Sequence, residues 1–145
     1  MQNDSTEELK RCMKEAGLGY DFAQNELGMR YYYGDGVPQN YDKAFEWYQK
    51  SAKQGNTEAQ YELGFMFYEG ESVRQDKAIA KEWLQKSAEQ GKANAQYVLG
   101  AMFYNGDGVP QNYDKAFEWY QKSAEQGDSS SQYMLGLCYQ LGNGA

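Results

Sequence analysis

One spacing governs this chain, and it is 36 residues. Leu27-Gly28, Leu63-Gly64, Leu99-Gly100 and Leu135-Gly136 recur at that interval. So do Trp47, Trp83 and Trp119, which are all of its tryptophans. Residues 34–52 read GDGVPQNYDKAFEWYQKSA, and residues 106–124 repeat that string two periods later. The register runs through the 145 residues without a gap. A period of this length marks a supersecondary unit that cannot bury its own apolar stripe and must stack on copies of itself.

The glycines divide the unit. Of the 16, all but Gly17 fall in four recurring slots. Gly34, Gly70, Gly106 and Gly142 close one helical pattern; Gly19, Gly55, Gly91 and Gly127 close the other. Gly36, Gly108 and Gly144 belong to the turn between them, with Ser72 as the substitute. Gly28, Gly64, Gly100 and Gly136 lie inside a helix, at a cost of ~1 kcal/mol against alanine that close approach of a neighbouring helix offsets. First helices are expected near 22–33, 57–69, 93–105 and 129–141, where Ala59, Leu63, Met66 and Phe67 draw one stripe. Second helices are expected near 41–54, 77–90 and 113–126, with Ala80, Trp83, Leu84 and Ala88 as the stripe and the tryptophans as core. Asn40, Asp76 and Asn112 stand ready to cap second helices, and Asn56 and Asp128 first helices. Residues 6–16 keep register as the second helix of an incomplete unit. The expected fold is all-α: a right-handed α-solenoid of antiparallel helix pairs with about eight helices. As one repeat domain, 1–145, it divides into a partial repeat 1–20, repeats 21–56, 57–92 and 93–128, and a partial repeat 129–145. Repeat two, with Arg74, Lys77 and Leu84 for Pro38, Tyr41 and Tyr48, is expected to pack its second helix less well. Leu135, Cys138 and Tyr139 are expected to be only partly covered.

Composition removes whole classes of function. The formal charge of −7 opposes a phosphate backbone or an anionic membrane surface. No histidine exists, so histidine triads and histidine metal sites are absent. Two cysteines, Cys12 and Cys138, are too few for a zinc site and read as buried or partly buried neutral thiols. No apolar run suits membrane insertion. The Gly-Asp-Gly turns lack the Gly-Lys-Ser/Thr of a phosphate loop and the closing Glu of a calcium loop. Glu46, Glu82 and Glu118 stand one per repeat on an outer face. No catalytic, cofactor-binding or metal-binding residue is expected, and the chain reads as no enzyme.

The string Ala-Gln-Tyr-x-Leu-Gly-x-Met-Phe-Tyr, followed by Gly-Asp-Gly-Val-Pro-Gln-Asn-Tyr-Asp-Lys-Ala-Phe-Glu-Trp-Tyr-Gln-Lys-Ser-Ala-x-Gln-Gly, closely resembles the Sel-one-like repeat, a longer cousin of the tetratricopeptide repeat. The resemblance spans residues 7–145. It implies an interaction scaffold or adaptor, in bacteria often at the host interface or envelope. The cysteine-rich secreted branch carries cysteines where this chain has Ala52 and Ala59, so that stapled form is not implied. Nor is β-lactam chemistry, since no Ser-x-x-Lys occurs. Cytoplasmic residence is the expectation as the sequence stands, with a periplasmic or secreted place if a leader has been removed.

Subtracting the core stripe from the first helices leaves an opposite face at the slots of residues 58, 61, 65, 68 and 69. It carries Met29, Tyr32 and Tyr33; then Glu58, Tyr61, Phe65, Tyr68 and Glu69; then Tyr97 and Tyr104; then Tyr133 and Leu137. By analogy with two-helix solenoids these line a concave groove. Rings at such density are typical of interface cores. Tyr61, Tyr97 and Tyr133 face a partner or pack between first helices; the sequence leaves both open. The expected function is a protein-binding module holding a peptide or protein segment in a tyrosine-rich, mildly acidic groove. The alternative is a structural repeat protein stacking end to end. The partner is a protein, not nucleic acid, and the chain is a monomer or an end-to-end assembly.

Overall fold

The computed structural model describes residues 2–142; Gly144, one of the expected turn glycines, lies outside them. Eight α-helices and no strand occur among the described residues: α1 (Gln2–Gly17), α2 (Asp21–Tyr33), α3 (Tyr41–Lys53), α4 (Thr57–Glu69), α5 (Lys77–Glu89), α6 (Ala93–Asn105), α7 (Tyr113–Glu125) and α8 (Ser129–Leu141). Helix α1 begins a turn earlier than expected, with Asp4 putting negative charge in its first turn, at the positive end of its dipole. The chain forms two compact units, dividing between Gln75 and Asp76. Helices α1 to α4 make the first and α5 to α8 the second. Within each, every helix packs on the next in solenoid fashion.

The caps are those the repeat demands. The side chains of Asn40, Asp76 and Asn112 each accept from a backbone N–H three residues on at 3.0 Å, and Asn56 and Asp128 do the same at 2.9 and 2.7 Å. Each such bond is worth about 1 kcal/mol. First helices end on left-handed glycines, as at Gly34 (φ 71°) and Gly106 (φ 66°). Ser72, in the slot of Gly36 and Gly108, is the one residue other than glycine with positive φ (59°) among the described residues.

The second-helix core is not where the tryptophans suggest. The buried line of α3 is Ala44, Tyr48, Ser51 and Ala52, repeated in α7 as Ala116, Tyr120, Ser123 and Ala124. Trp47, Trp83 and Trp119 are half-buried, each under the ammonium of the lysine three residues on, at 4.3, 4.6 and 4.7 Å from the ring. One residue turns a helix by about 100°. The tryptophans therefore flank the stripe, while the tyrosines sit on it. Their rings lie against Gly28 and Gly100: a Cβ built there would stand 2.7 Å from Tyr48 and 2.9 Å from Tyr120. Helix α5 is buried as completely as its relatives, with Ala80, Leu84 and Ser87 at 0% exposure, so the divergence of repeat two does not loosen it.

Polar side chains lock the helices together within each unit. Ser51 Oγ donates to the Asp21 carbonyl at 2.7 Å and Ser123 Oγ to that of Ala93 at 2.9 Å. Gln54 donates to Gln24 and Gln126 to Gln96, both at 2.8 Å. Gln24, Gln60, Gln96 and Gln132 donate to the carbonyls of Ala16, Ala52, Ala88 and Ala124 at 3.1–3.3 Å. These satisfy backbone groups that the interior would otherwise leave unpaired. Ala52 and Ala59 are both fully buried. So are the thiols of Cys12 and Cys138, whose pKa values burial pushes up. Cys138 thus departs from the partial cover expected of it, while Leu135 is half-buried and Tyr139 exposed.

Candidate protein-binding faces

In the first unit, α2 contributes Met29, Tyr32 and Tyr33 to the face expected to bind. The Tyr32 ring lies 4.9 Å from Tyr33, edge-on, and 4.9 Å from Tyr41, the first residue of α3. Its hydroxyl donates to the Glu71 carboxylate at 2.7 Å. Burial first, then that hydrogen bond, push its pKa well above the usual tyrosine value, so it is a fixed neutral donor. Tyr33 and Met29 reach solvent, at 67% and 43% exposure. With Glu26, Arg30 and Asp35 they line an open hollow of about 460 Å³. Arg30 is buried and held by Glu26, its Nε and Nη2 donating to one carboxylate oxygen at 3.2 and 3.0 Å.

Helix α4 carries a row of rings. Tyr61 lies 6.2 Å from Phe65, and Phe65 stacks 6.5 Å from Tyr68. All three are half-buried. Glu58 and Glu69 stand exposed at the two ends of the helix. The Tyr68 carbonyl accepts from the Gln75 side chain at 2.9 Å, which fixes the end of the row.

The second unit arranges its rings around Tyr120. Tyr97 lies 5.9 Å from it and Tyr104 6.4 Å, while Tyr104 also rests 5.2 Å from Tyr113. Tyr97 and Tyr104 are half-buried; on α8, Leu137 is half-buried and Tyr133 is 67% exposed. Sequence reasoning missed Tyr41, Tyr113 and Glu71. The signal for the tyrosines was present: in both copies of the long repeated string a tyrosine directly follows the capping asparagine, at the helix start that faces the end of the preceding helix. Nothing in the spacing pointed to Glu71.

The faces offer rings, phenol hydroxyls and exposed carboxylates. No cluster able to hold a metal ion occurs among the described residues. No described helix is long and apolar enough to cross a membrane.

Paired helices at a 36-residue period, locked by serine and glutamine within each unit, define a helical repeat protein. The Sel1 repeat model matches residues 21–56, 57–92, 93–128 and 129–145, and the chain belongs to the Sel1 repeat family. Proteins of this fold generally serve as protein–protein interaction modules and are typically non-catalytic scaffolds. Similar solved structures include a protective antigen of uropathogenic Escherichia coli, 37% identical with a TM-score of 0.91, matched over 94% of this chain and 29% of that one. A Sel1 repeat protein of Oxalobacter formigenes is also 37% identical, with a TM-score of 0.84 over 88% of this chain and 53% of the other. This chain thus spans about a third and about half of those two proteins. Helicobacter pylori cysteine-rich protein B shares the fold, at 20% identity and a TM-score of 0.71, over 91% of this chain and 95% of that one. The search of curated proteins gave no match.

Proposed function

We propose that this chain is a non-enzymatic adaptor that holds a peptide, or a helix of another protein, against the tyrosine-lined first-helix faces of its units. The observation that carries the reading is the packing of the rings on one another. Tyr32 is braced by Tyr33, Tyr41 and Glu71, and Phe65 by Tyr61 and Tyr68. Braced rings give contact area with little rotamer entropy left to lose, and their hydroxyls suit peptide groups. Glu58 and Glu69 favour a partner with basic residues. The relative that is a protective antigen of a pathogenic bacterium supports a place at the envelope or host interface.

Affinity capture with four baits tests this: the wild type, Phe65→Ala, Tyr68→Ala and the outer-face control Glu46→Ala. A prey held by the wild type and the control should be lost by both aromatic variants. Calorimetric titration should then show each losing about 2 kcal/mol or more, the usual scale of a buried aromatic anchor. Prey retained by the aromatic variants and lost by Glu46→Ala would place binding on the opposite face.

A further inference from the structure

One slot of the repeat changes character in α5. At one period to either side the slot holds phenylalanine, and each ring meets a ring of the following helix. Phe45 stands edge-on to Phe67 at 5.7 Å, and Phe117 edge-on to Tyr139 at 5.3 Å. Between them the slot holds Lys81, half-buried. A lysine can cover apolar surface with its stem, but its ammonium must reach water or an anion. Lys81 lines a hollow of about 230 Å³ inside the second unit, with the buried Phe103 in its lining and α7 as its other wall.

That wall carries two more lysines. Lys115 Nζ lies over the Phe103 ring at 5.2 Å, and Lys122 Nζ over the Trp119 ring at 4.7 Å. A ring face holds an ammonium in place without neutralising it. Among the described residues, no ion pair within 4 Å engages Lys81, Lys115 or Lys122. Glu118, on the same wall as the latter two, is the one carboxylate in the lining. Three cations to one carboxylate reverse the charge balance of a chain with 21 acidic and 14 basic residues. Like charges gathered in one hollow repel one another until an anion joins them.

We propose that this hollow docks an acidic peptide segment of a partner protein, one with two carboxylates three residues apart. Lys115 and Lys122 are seven residues apart, which is two turns of α7 and roughly 10 Å along its axis. Seated on separate rings, they are too distant for one small anion to bridge. An extended peptide advances about 3.3 Å per residue, so acidic side chains at i and i+3 match the interval. Lys81 meets the segment from the α5 wall. Gln85, one turn further along α5, donates to Glu89 at 3.0 Å, which leaves its Oε1 to accept a peptide N–H. The site is built on α5 and α7, apart from the first-helix rings, and it asks for the opposite charge. It stands or falls independently of the tyrosine-face reading.

The test titrates a fluorescently labelled Gly-Glu-Pro-Pro-Glu-Gly peptide into the whole chain at low ionic strength, followed by anisotropy. Its prolines hold the two glutamates in extended geometry. Saturable binding is expected, weakened by added salt and lost when both glutamates become glutamine. Lys81→Gln and Lys122→Gln should each weaken it about threefold to fivefold, the reach of one partly exposed ion pair. Glu118→Gln should tighten it. Lys81→Phe, which restores the residue of the neighbouring repeats, should melt no lower than the wild type and yet lose binding, a pairing that misfolding cannot imitate. Lys53→Gln, an exposed lysine of the first unit, removes the same charge elsewhere and should change nothing. Absence of saturable binding, or equal binding of the glutamine peptide, would overturn the proposal. So would an equal loss from Lys53→Gln, which would reduce the effect to net charge. Displacement by inorganic phosphate at the peptide's own concentration would assign the hollow to a single small anion and overturn it too.

Discussion

Two sets of tyrosines divide this molecule. On the second helices, Tyr48 and Tyr120 are closed off from water, each ring flat against a glycine of the preceding helix. On the first helices, Tyr32, Tyr61, Tyr68, Tyr97 and Tyr104 keep part of each ring in solvent. The phenol hydroxyls differ as well. Tyr32 donates to Glu71, whereas the Tyr48 hydroxyl is buried with no hydrogen-bond partner. One residue type thus serves as core where a glycine opens a slot one ring thick, and as surface where it does not. The burial of Tyr48 and Tyr120 is made possible by the residue opposite each, 20 positions away at Gly28 and Gly100.

The sharpest way to break that contrast is to truncate adjacent aromatics. Tyr120→Ala should cost about 3–5 kcal/mol, as for a fully buried ring, and should unfold the second unit's helices first. Trp119→Ala, although it removes a larger side chain, should cost only about 1–2 kcal/mol, because its ring is half-buried beneath Lys122. Urea melts followed by far-ultraviolet dichroism compare the two. Equal losses would return the tryptophans to the core.

The slot itself can be probed next. Gly100→Ala puts a methyl where the Tyr120 ring lies, and should destabilise by about 1–3 kcal/mol through overpacking, despite alanine's better helix propensity. The double variant Gly100→Ala with Tyr120→Leu should recover part of that loss, since leucine occupies the equivalent position of α5, as Leu84, at full burial. Failure of leucine to rescue would mean that the glycine answers to something other than the ring.

These contrasts also mark what the sequence disclosed. The period, the eight helices, their caps and their glycine stops are local or repetitive properties, and spacing alone expresses them. The depth of Trp47 against Tyr48 is not local. Hydrophobicity ranks tryptophan first, but a 100° turn places tyrosine on the buried line, and only the opposed glycine makes room for its ring. The buried serines and glutamines were invisible for a related reason: a polar residue reads as surface until the backbone carbonyl it satisfies is located. For the candidate faces, spacing alone lines up the rings along the first helices. It did not deliver their braces, Tyr41, Tyr113 and Glu71, which enter from neighbouring segments.

The smallest effect concerns the unpartnered hydroxyl of Tyr48. Burial, followed by the charge of Glu62, pushes its pKa far above the ordinary tyrosine value of 10. Tyr48→Phe keeps the ring and removes a buried polar group that nothing satisfies, so it should stabilise the neutral protein by about 1 kcal/mol. The sign of the pH dependence follows from linkage. Above pH 10 the unfolded phenol loses its proton and the folded one keeps it, so the unfolded state binds fewer protons and stability falls as pH rises. The stability tied to the neutral phenol is fully present below pH 10 and is lost above it, by about 1.4 kcal/mol per pH unit for each such group. Tyr120, also pushed up by burial, adds a second such group, and Cys12 and Cys138 begin the same loss from about pH 9. Tyr48→Phe should therefore melt above the wild type at pH 8, and the gap should widen by pH 11. A gap of constant size across that range would mean that the Tyr48 phenol ionises as readily folded as unfolded, and a lower melting temperature at pH 8 would mean that its hydroxyl is satisfied after all.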